Sequence, residues 1–268
     1  MDNRPIGFFD SGLGGLTCIP HLMRELPGEK VIYFGDTART PYGSKAVSTI
    51  RKFSLEIADF LVKNDVKMIV IACNTVSATS LWDIRMKYPD IPVIGIIDPA
   101  AEKAANICTS DDSIGVIGTK ATITSGAYNR SIKSLNRGLR VYSAACPAFV
   151  PLIEEGIIDS DIMDLTIKYY LDDFIRDKKI DNVIFGCTHY PFIRGNFERL
   201  YPGVKIIDPS YEIVFKIRSV LEEEGLFARE TEIENTCYAS DLAGNFVDMI
   251  ERVFENIKVN VKFKNLEL

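Results

Sequence analysis

The chain has no apolar run near the ~20 residues that a membrane-spanning helix requires. Its longest buried-looking stretches, from Met68 to Ala72 and from Val93 to Ile97, are strand-sized. A secretory leader is missing too, because Pro5 and Asp10 bracket only Ile6, Gly7, Phe8 and Phe9. A soluble, cytoplasmic protein is the expectation. Histidine is scarce, with only His21 and His189, and the six cysteines (Cys18, Cys73, Cys108, Cys146, Cys187, Cys237) contain no C-x-x-C pair. That excludes a compact zinc motif and argues against a dithiol redox centre. A disulfide framework is not expected in a chain this long without an export signal. Positive charge is also in deficit: 31 Lys and Arg against 37 Asp and Glu leave a net charge of −6. No electrostatic footprint for nucleic acid or for a membrane surface results. An anionic small molecule would have to be held by local donors, such as helix N-termini and hydroxyls.

What is present is ordinary globular material: 268 residues, 47% apolar and 25% charged, enough for one large or two modest domains. Short β-branched runs at 6–9, 31–35, 68–73, 93–97, 114–118, 139–143, 182–187, 204–207 and 236–239 read as strands. Most are continuously apolar, the pattern of strands covered on both faces. Helical stretches are predicted at 15–25, 45–64, 77–87, 99–108, 123–135, 161–177, 192–200, 212–224 and 243–256. In the second of these, Ile50, Phe53, Ile57, Phe60 and Leu61 recur at helical spacing. The alternation implies an α/β fold with mainly parallel, doubly wound sheets. The tail at 259–263 alternates, as an edge strand or a loose end does.

A faint internal repeat runs through the chain at an offset of roughly 110 residues. Asp10 corresponds to Thr119, Val31-Ile32-Tyr33 to Arg140-Val141-Tyr142, Cys73 to Cys187, and Ile97-Asp98-Pro99 to Ile207-Asp208-Pro209. Two pseudosymmetric α/β domains follow, residues 1–97 plus 209–268 forming one and 98–208 the other. The active site is then expected in the crevice between them, at the C-terminal strand ends.

Cys73 and Cys187 fall at matching places, each ending a buried strand. Each is followed by polar residues able to cap the next helix: Asn74, Thr75 and Ser77 in one case, Thr188 in the other. A thiol there meets backbone N–H groups and a positive dipole end that favour thiolate. Two such sulfurs facing across a pseudo-dyad can remove a proton from one face of a carbon and return one to the other. The alternative is a pair of strand-end core cysteines. The glycine-rich stretch Asp10-Ser11-Gly12-Leu13-Gly14-Gly15 exposes N–H groups but is a poor nucleotide loop, with Thr17 where G-x-G-x-x-G needs glycine. Asp10 reads as an N-cap or as a carboxylate assisting a thiol, and Pro41-Tyr42-Gly43 as a rigid turn lining a site or lying on the surface. His189 is within reach of Cys187 or a substrate carboxylate. Glu154 and Glu155 follow an apolar run, where they suggest a helix start.

Phe9-Asp10-Ser11-Gly12-Leu13-Gly14-Gly15, Asp36-Thr37 with Pro41-Tyr42-Gly43, Ala72-Cys73-Asn74-Thr75 and Gly186-Cys187-Thr188-His189-Tyr190-Pro191 together resemble the glutamate racemases. These belong to the cofactor-independent aspartate/glutamate racemase superfamily, and the resemblance runs from about residue 5 to 255. It implies interconversion of L- and D-glutamate without metal, pyridoxal phosphate or other cofactor, supplying D-glutamate for peptidoglycan synthesis. It also implies a homodimer. By matching position, it makes Cys73 and Cys187 the proton acceptor and donor, with Asp10 assisting Cys73, and Glu154 with His189 assisting Cys187. Substrate contacts fall on Asp10, Ser11, Tyr42, Gly43, Asn74, Thr75, Thr119, Thr122, Thr188 and His189. Relatives activated by a cell-wall precursor carry an N-terminal extension that does not precede these motifs here, so no such activation is expected. An aspartate racemase, a non-catalytic amino-acid-binding protein and a thiol redox protein are the competing readings.

Overall fold

The computed structural model describes residues 1–229, 234–241, 250, 254 and 259–266. The strands are β1 (Ile6–Asp10), β2 (Val31–Gly35), β3 (Met68–Ile71), β4 (Val93–Gly95), β5 (Ser113–Gly118), β6 (Arg140–Ala145), β7 (Asn182–Gly186), β8 (Lys205–Ile207), β9 (Asn235–Ala239) and β10 (Val259–Phe263). The helices are α1 (Cys18–Glu25), α2 (Val47–Lys63), α3 (Asn74–Lys87), α4 (Ile97–Ile107), α5 (Lys120–Ser125), α6 (Ala127–Leu135), α7 (Phe149–Glu154), α8 (Asp161–Lys178), α9 (Arg194–Leu200) and α10 (Pro209–Glu223). Short 3-10 turns stand at Gly14–Thr17, Thr37–Arg39, Tyr42–Ser44 and Tyr190–Ile193.

The strands make two sheets in which every pairing is parallel. One runs β10-β9-β2-β1-β3-β4, the other β6-β5-β7-β8. The order β2-β1-β3-β4 is repeated by β6-β5-β7-β8, so the roughly 110-residue sequence repeat is a repeat of topology. Strands β1, β3, β5 and β7 are buried along their whole length. Their side chains alternate between two apolar layers, which is why the sequence shows unbroken runs. Ile6 and Phe8 enter one layer and Phe9 the other; Ile184 enters one, and Val183 and Phe185 the other.

One of these layers belongs to both sheets. Ile6 and Phe8 of the first sheet and Ile114, Val116 and Ile184 of the second share a core with Ala100, Ala101 and Ala104 of α4, Ile132 of α6, and Ile213, Val214 and Ile217 of α10. Small residues on α4 let it pack closely against both α6 and α10. The tail at 259–263 is the edge strand β10, exposed along most of its length. Among the described residues no helix is long and apolar enough to cross a membrane.

Several local expectations are corrected. The helix predicted over 123–135 is two helices, α5 and α6, because Gly126 takes a left-handed φ of 65° that ends the first and starts the second. Helix α3 begins at Asn74 rather than near Ser77, with Cys73 as its N-cap. The four polar residues expected as caps do other work: Ser77 Oγ donates to the Ile71 carbonyl, and Thr188 Oγ1 to Asp10. Glu154 closes α7 instead of opening a helix. The helix expected over 243–256 lies outside the described residues except at Ile250 and Phe254, which are buried.

Candidate active site

The C-terminal ends of β1 and β3 from one sheet, and of β5, β6 and β7 from the other, surround one cavity. Ser11, Tyr42, Gly43, Cys73, Asn74, Thr75, Thr119, Cys187, Thr188 and His189 all line it. Ten of the thirteen predicted site residues therefore share its wall, and both thiols open into the same space. The other three stand one step behind. Asp10 is fully buried, accepting from Gly12 N–H at 3.1 Å and from Thr188 Oγ1 at 3.4 Å. Thr122 completes a triangle of hydroxyls with Thr75 at 3.3 Å and Thr119 at 3.1 Å, and Thr75 and Thr119 are 3.0 Å apart. Glu154 lies beyond His189, its Oε1 3.2 Å from Nε2.

The seam between the sheets is closed by absent side chains. A Cβ on Gly14 would collide with Thr188 Oγ1 and lie 2.6 Å from His189 Nδ1; one on Gly43 would lie 2.7 Å from Thr119 Cβ. Glycine at these two places lets the loops of one sheet approach the strand ends of the other.

The two sulfurs have unequal surroundings. Cys73 Sγ is 3.5 Å from Ser11 Oγ at the N-terminus of α3. Burial pushes its thiol up to about 12, and the negative charge of Asp10 adds to this. The Ser11 hydroxyl and the N–H groups of Val76 and Ser11 oppose the rise without cancelling it. The backbone N–H groups favour thiolate here as expected, but desolvation and the charge of Asp10 outweigh them. On the other side, Cys187 Sγ is 3.9 Å from His189 Nδ1. Burial alone would push the imidazole down, but its contacts with Cys187 and Glu154, and their charges, outweigh burial and raise it to about 10. Both contacts favour the protonated imidazole, which is placed between a sulfur and a carboxylate.

Tyr42 presents its ring to the cavity while its hydroxyl turns away to donate to Asp36. Asp36, fully buried, also accepts from Arg39 Nε at 2.7 Å and Ser240 Oγ at 2.8 Å. This carboxylate holds the Thr40-Pro41-Tyr42-Gly43 turn, in which Pro41 is cis, against the end of β2. Asn74 is buried and its amide nitrogen has no hydrogen-bond partner among the described residues. Thr40, Ser44, Lys120, Cys146, Pro147, Val150 and Pro151 line the cavity without having been singled out. The repeat could have found Cys146, which follows β6 as Asp36 follows β2, 110 positions earlier. Burial, and then the neighbouring charge of Cys187, pushes the Cys146 thiol up, which makes it an inert wall. Among the described residues, no group of three or more His, Cys, Asp or Glu side chains is arranged to hold a metal ion.

Known proteins resemble this chain over most or all of its length. A glutamate racemase of Sulfurihydrogenibium sp. (strain YO3AOP1) is 44% identical over 247 residues, covering 91% of this chain and 93% of its own. That of Streptococcus sanguinis (strain SK36) is 41% identical, covering 99% and 100%. The crystal structure of glutamate racemase from Francisella tularensis in complex with D-glutamate superposes with a TM-score of 0.93 at 40% identity, covering 100% of this chain and 99% of that one. Residues 16–214 match the Asp/Glu/Hydantoin racemase family. With a family match over most of its residues and relatives more than 40% identical along nearly all of its length, the chain belongs to the Asp/Glu/hydantoin racemase family.

Proposed function

We propose that the protein interconverts L- and D-glutamate by a two-base mechanism in which Cys73 and Cys187 exchange a proton with opposite faces of Cα. The observation that carries this reading is the pair of thiols at topologically equivalent strand ends, opening into one cavity. Glutamate is the substrate because relatives 41–44% identical over nearly all of this chain are glutamate racemases. In one charge state Cys187, beside the His189 imidazolium, takes the α-proton as thiolate while the Cys73 thiol delivers one from the far side. The reverse direction starts from the exchanged state, with Cys73 as base and Asp10 beside it. An α-proton is far less acidic than a thiol, so positioning and exclusion of water must supply most of the rate. Hydroxyls of Ser11, Thr75, Thr119 and Thr188 and the Asn74 amide supply donors for the two carboxylates, and Asp10 an acceptor for the ammonium. Because the thiols supply both proton transfers, the reaction needs neither metal nor pyridoxal phosphate. The protein acts in the cytoplasm as a homodimer, and its product feeds peptidoglycan synthesis.

Polarimetry of the purified protein with L-glutamate and no additive tests this. Optical rotation should decay to zero, and in deuterated water the product should gain deuterium at Cα ahead of the remaining substrate. An unchanging rotation, or faster turnover of aspartate, would contradict the proposal.

A further inference from the structure

The Asn74 amide nitrogen lines the cavity as a buried donor with no acceptor among the described residues. Its other end is fully committed. Tyr128, at the start of α6 on the opposite side of the seam, donates its hydroxyl to Asn74 Oδ1 at 2.6 Å. Tyr128 is buried, and its ring packs on Gly186, where a Cβ would lie 3.3 Å from Tyr128 Cε2. The ring thus sits directly behind Cys187. Burial, and then the charges of Asp208, Cys187 and Asp98, push the phenol well above its usual range, so the group is always a hydroxyl able to donate. An Asn side chain is a donor at one end and an acceptor at the other. A half-turn about its terminal torsion exchanges them. Held by the Tyr128 hydroxyl, the oxygen points to α6 and the nitrogen is left for the ligand.

We infer that Tyr128 is a positioning residue for substrate binding: its hydroxyl fixes the Asn74 amide so that nitrogen, and not oxygen, meets a substrate carboxylate. The inference rests on the reading of the site as one that binds glutamate. It gives the second sheet's helix layer a direct role in a contact made by the first turn of α3, on the first sheet. Without the hydroxyl, the amide is free to present its oxygen, which repels a carboxylate. A carboxylate contact made equally before and during proton transfer contributes to KM and not to kcat.

The test is steady-state racemisation by the wild type, Tyr128→Phe, Asn74→Ala and the double variant, with Tm measured alongside. In Tyr128→Phe, KM should rise about tenfold, the scale of one hydrogen bond to a charged group, while kcat and Tm change little. The double variant should be no worse than Asn74→Ala alone, since the hydroxyl acts only through the amide. A KM within twofold of wild type, or a double variant whose loss is the product of the two single losses, overturns the inference. Should Tyr128→Phe not fold, the side-chain amide nitrogen signal of Asn74 in the wild type gives a second readout. It should shift on addition of D-glutamate, and an unmoved signal counts against the assignment. Failure of the wild type to racemise glutamate removes the parent reading and this inference together. Wild-type racemisation with an unaffected Tyr128→Phe removes the inference alone.

Discussion

At the scale of single residues, the site is an asymmetric pair built from a symmetric plan. Cys73 and Cys187 end equivalent strands, yet one sulfur faces a carboxylate and a hydroxyl and the other an imidazolium. Replacing either cysteine by alanine should cut racemisation by about a hundredfold or more, the scale of a lost general acid or base, with the thermal transition nearly unchanged. Near-wild-type turnover in either variant would contradict the two-thiol mechanism. The His189 ring should titrate near 10 by NMR. Glu154→Gln removes a negative charge next to the imidazolium, destabilises the charged form and must move that midpoint down. Proton abstraction at the Cys187 side should then decline at lower pH than in the wild type, and His189→Ala should slow one enantiomer more than the other. The sequence revealed both thiols and His189 because they sit at repeat positions or inside short motifs. It concealed Tyr128, whose partner lies 54 residues away, and it gave Asp36 only as part of a motif, without the buried four-way contact that the residue makes. No local pattern records such meetings. The rise at Cys73 was hidden for a related reason: spacing shows the helix N-terminus but not the depth of burial or the charge of Asp10 that outweighs it.

Among secondary-structure elements, the strands were the easiest to anticipate, because burial on both faces writes a continuous apolar run. Helix boundaries were harder. The stretch 120–135 has the apolar content of one helix, and only the left-handed conformation of Gly126 divides it. That break turns α6 so that Tyr128 faces α3. Gly126→Ala should destabilise the protein by about 1–2 kcal/mol, the cost of a side chain in that backbone conformation, as measured by urea unfolding. It should also raise KM, since α6 carries Tyr128; a variant as stable as wild type would show that the break is incidental. Helix α7 was misread because an acidic pair after an apolar run looks the same at either end of a short helix. Its six residues end on Glu154, which brings the carboxylate to His189.

For the whole molecule, the repeat was legible in the spacing of four landmarks, whereas the strand order that the two sheets have in common and the layer they share were not. Helices α4, α6 and α10 contribute to one core that takes side chains from both. Neither sheet can lose that layer without exposing the apolar face of the other. Calorimetry should therefore give a single transition whose van't Hoff and calorimetric enthalpies agree for the protomer. Two resolved transitions would mean that the halves unfold independently. The burial of the reacting sulfurs has a last chemical consequence. Cys73 is 4% exposed and Cys187 6%, and what is exposed opens into the cavity. Peroxide, alkylating agents and soft metal ions reach these sulfurs through the cavity, so if the proposed amino acid occupies it, the same molecule stoppers it and shields both thiols from poisoning.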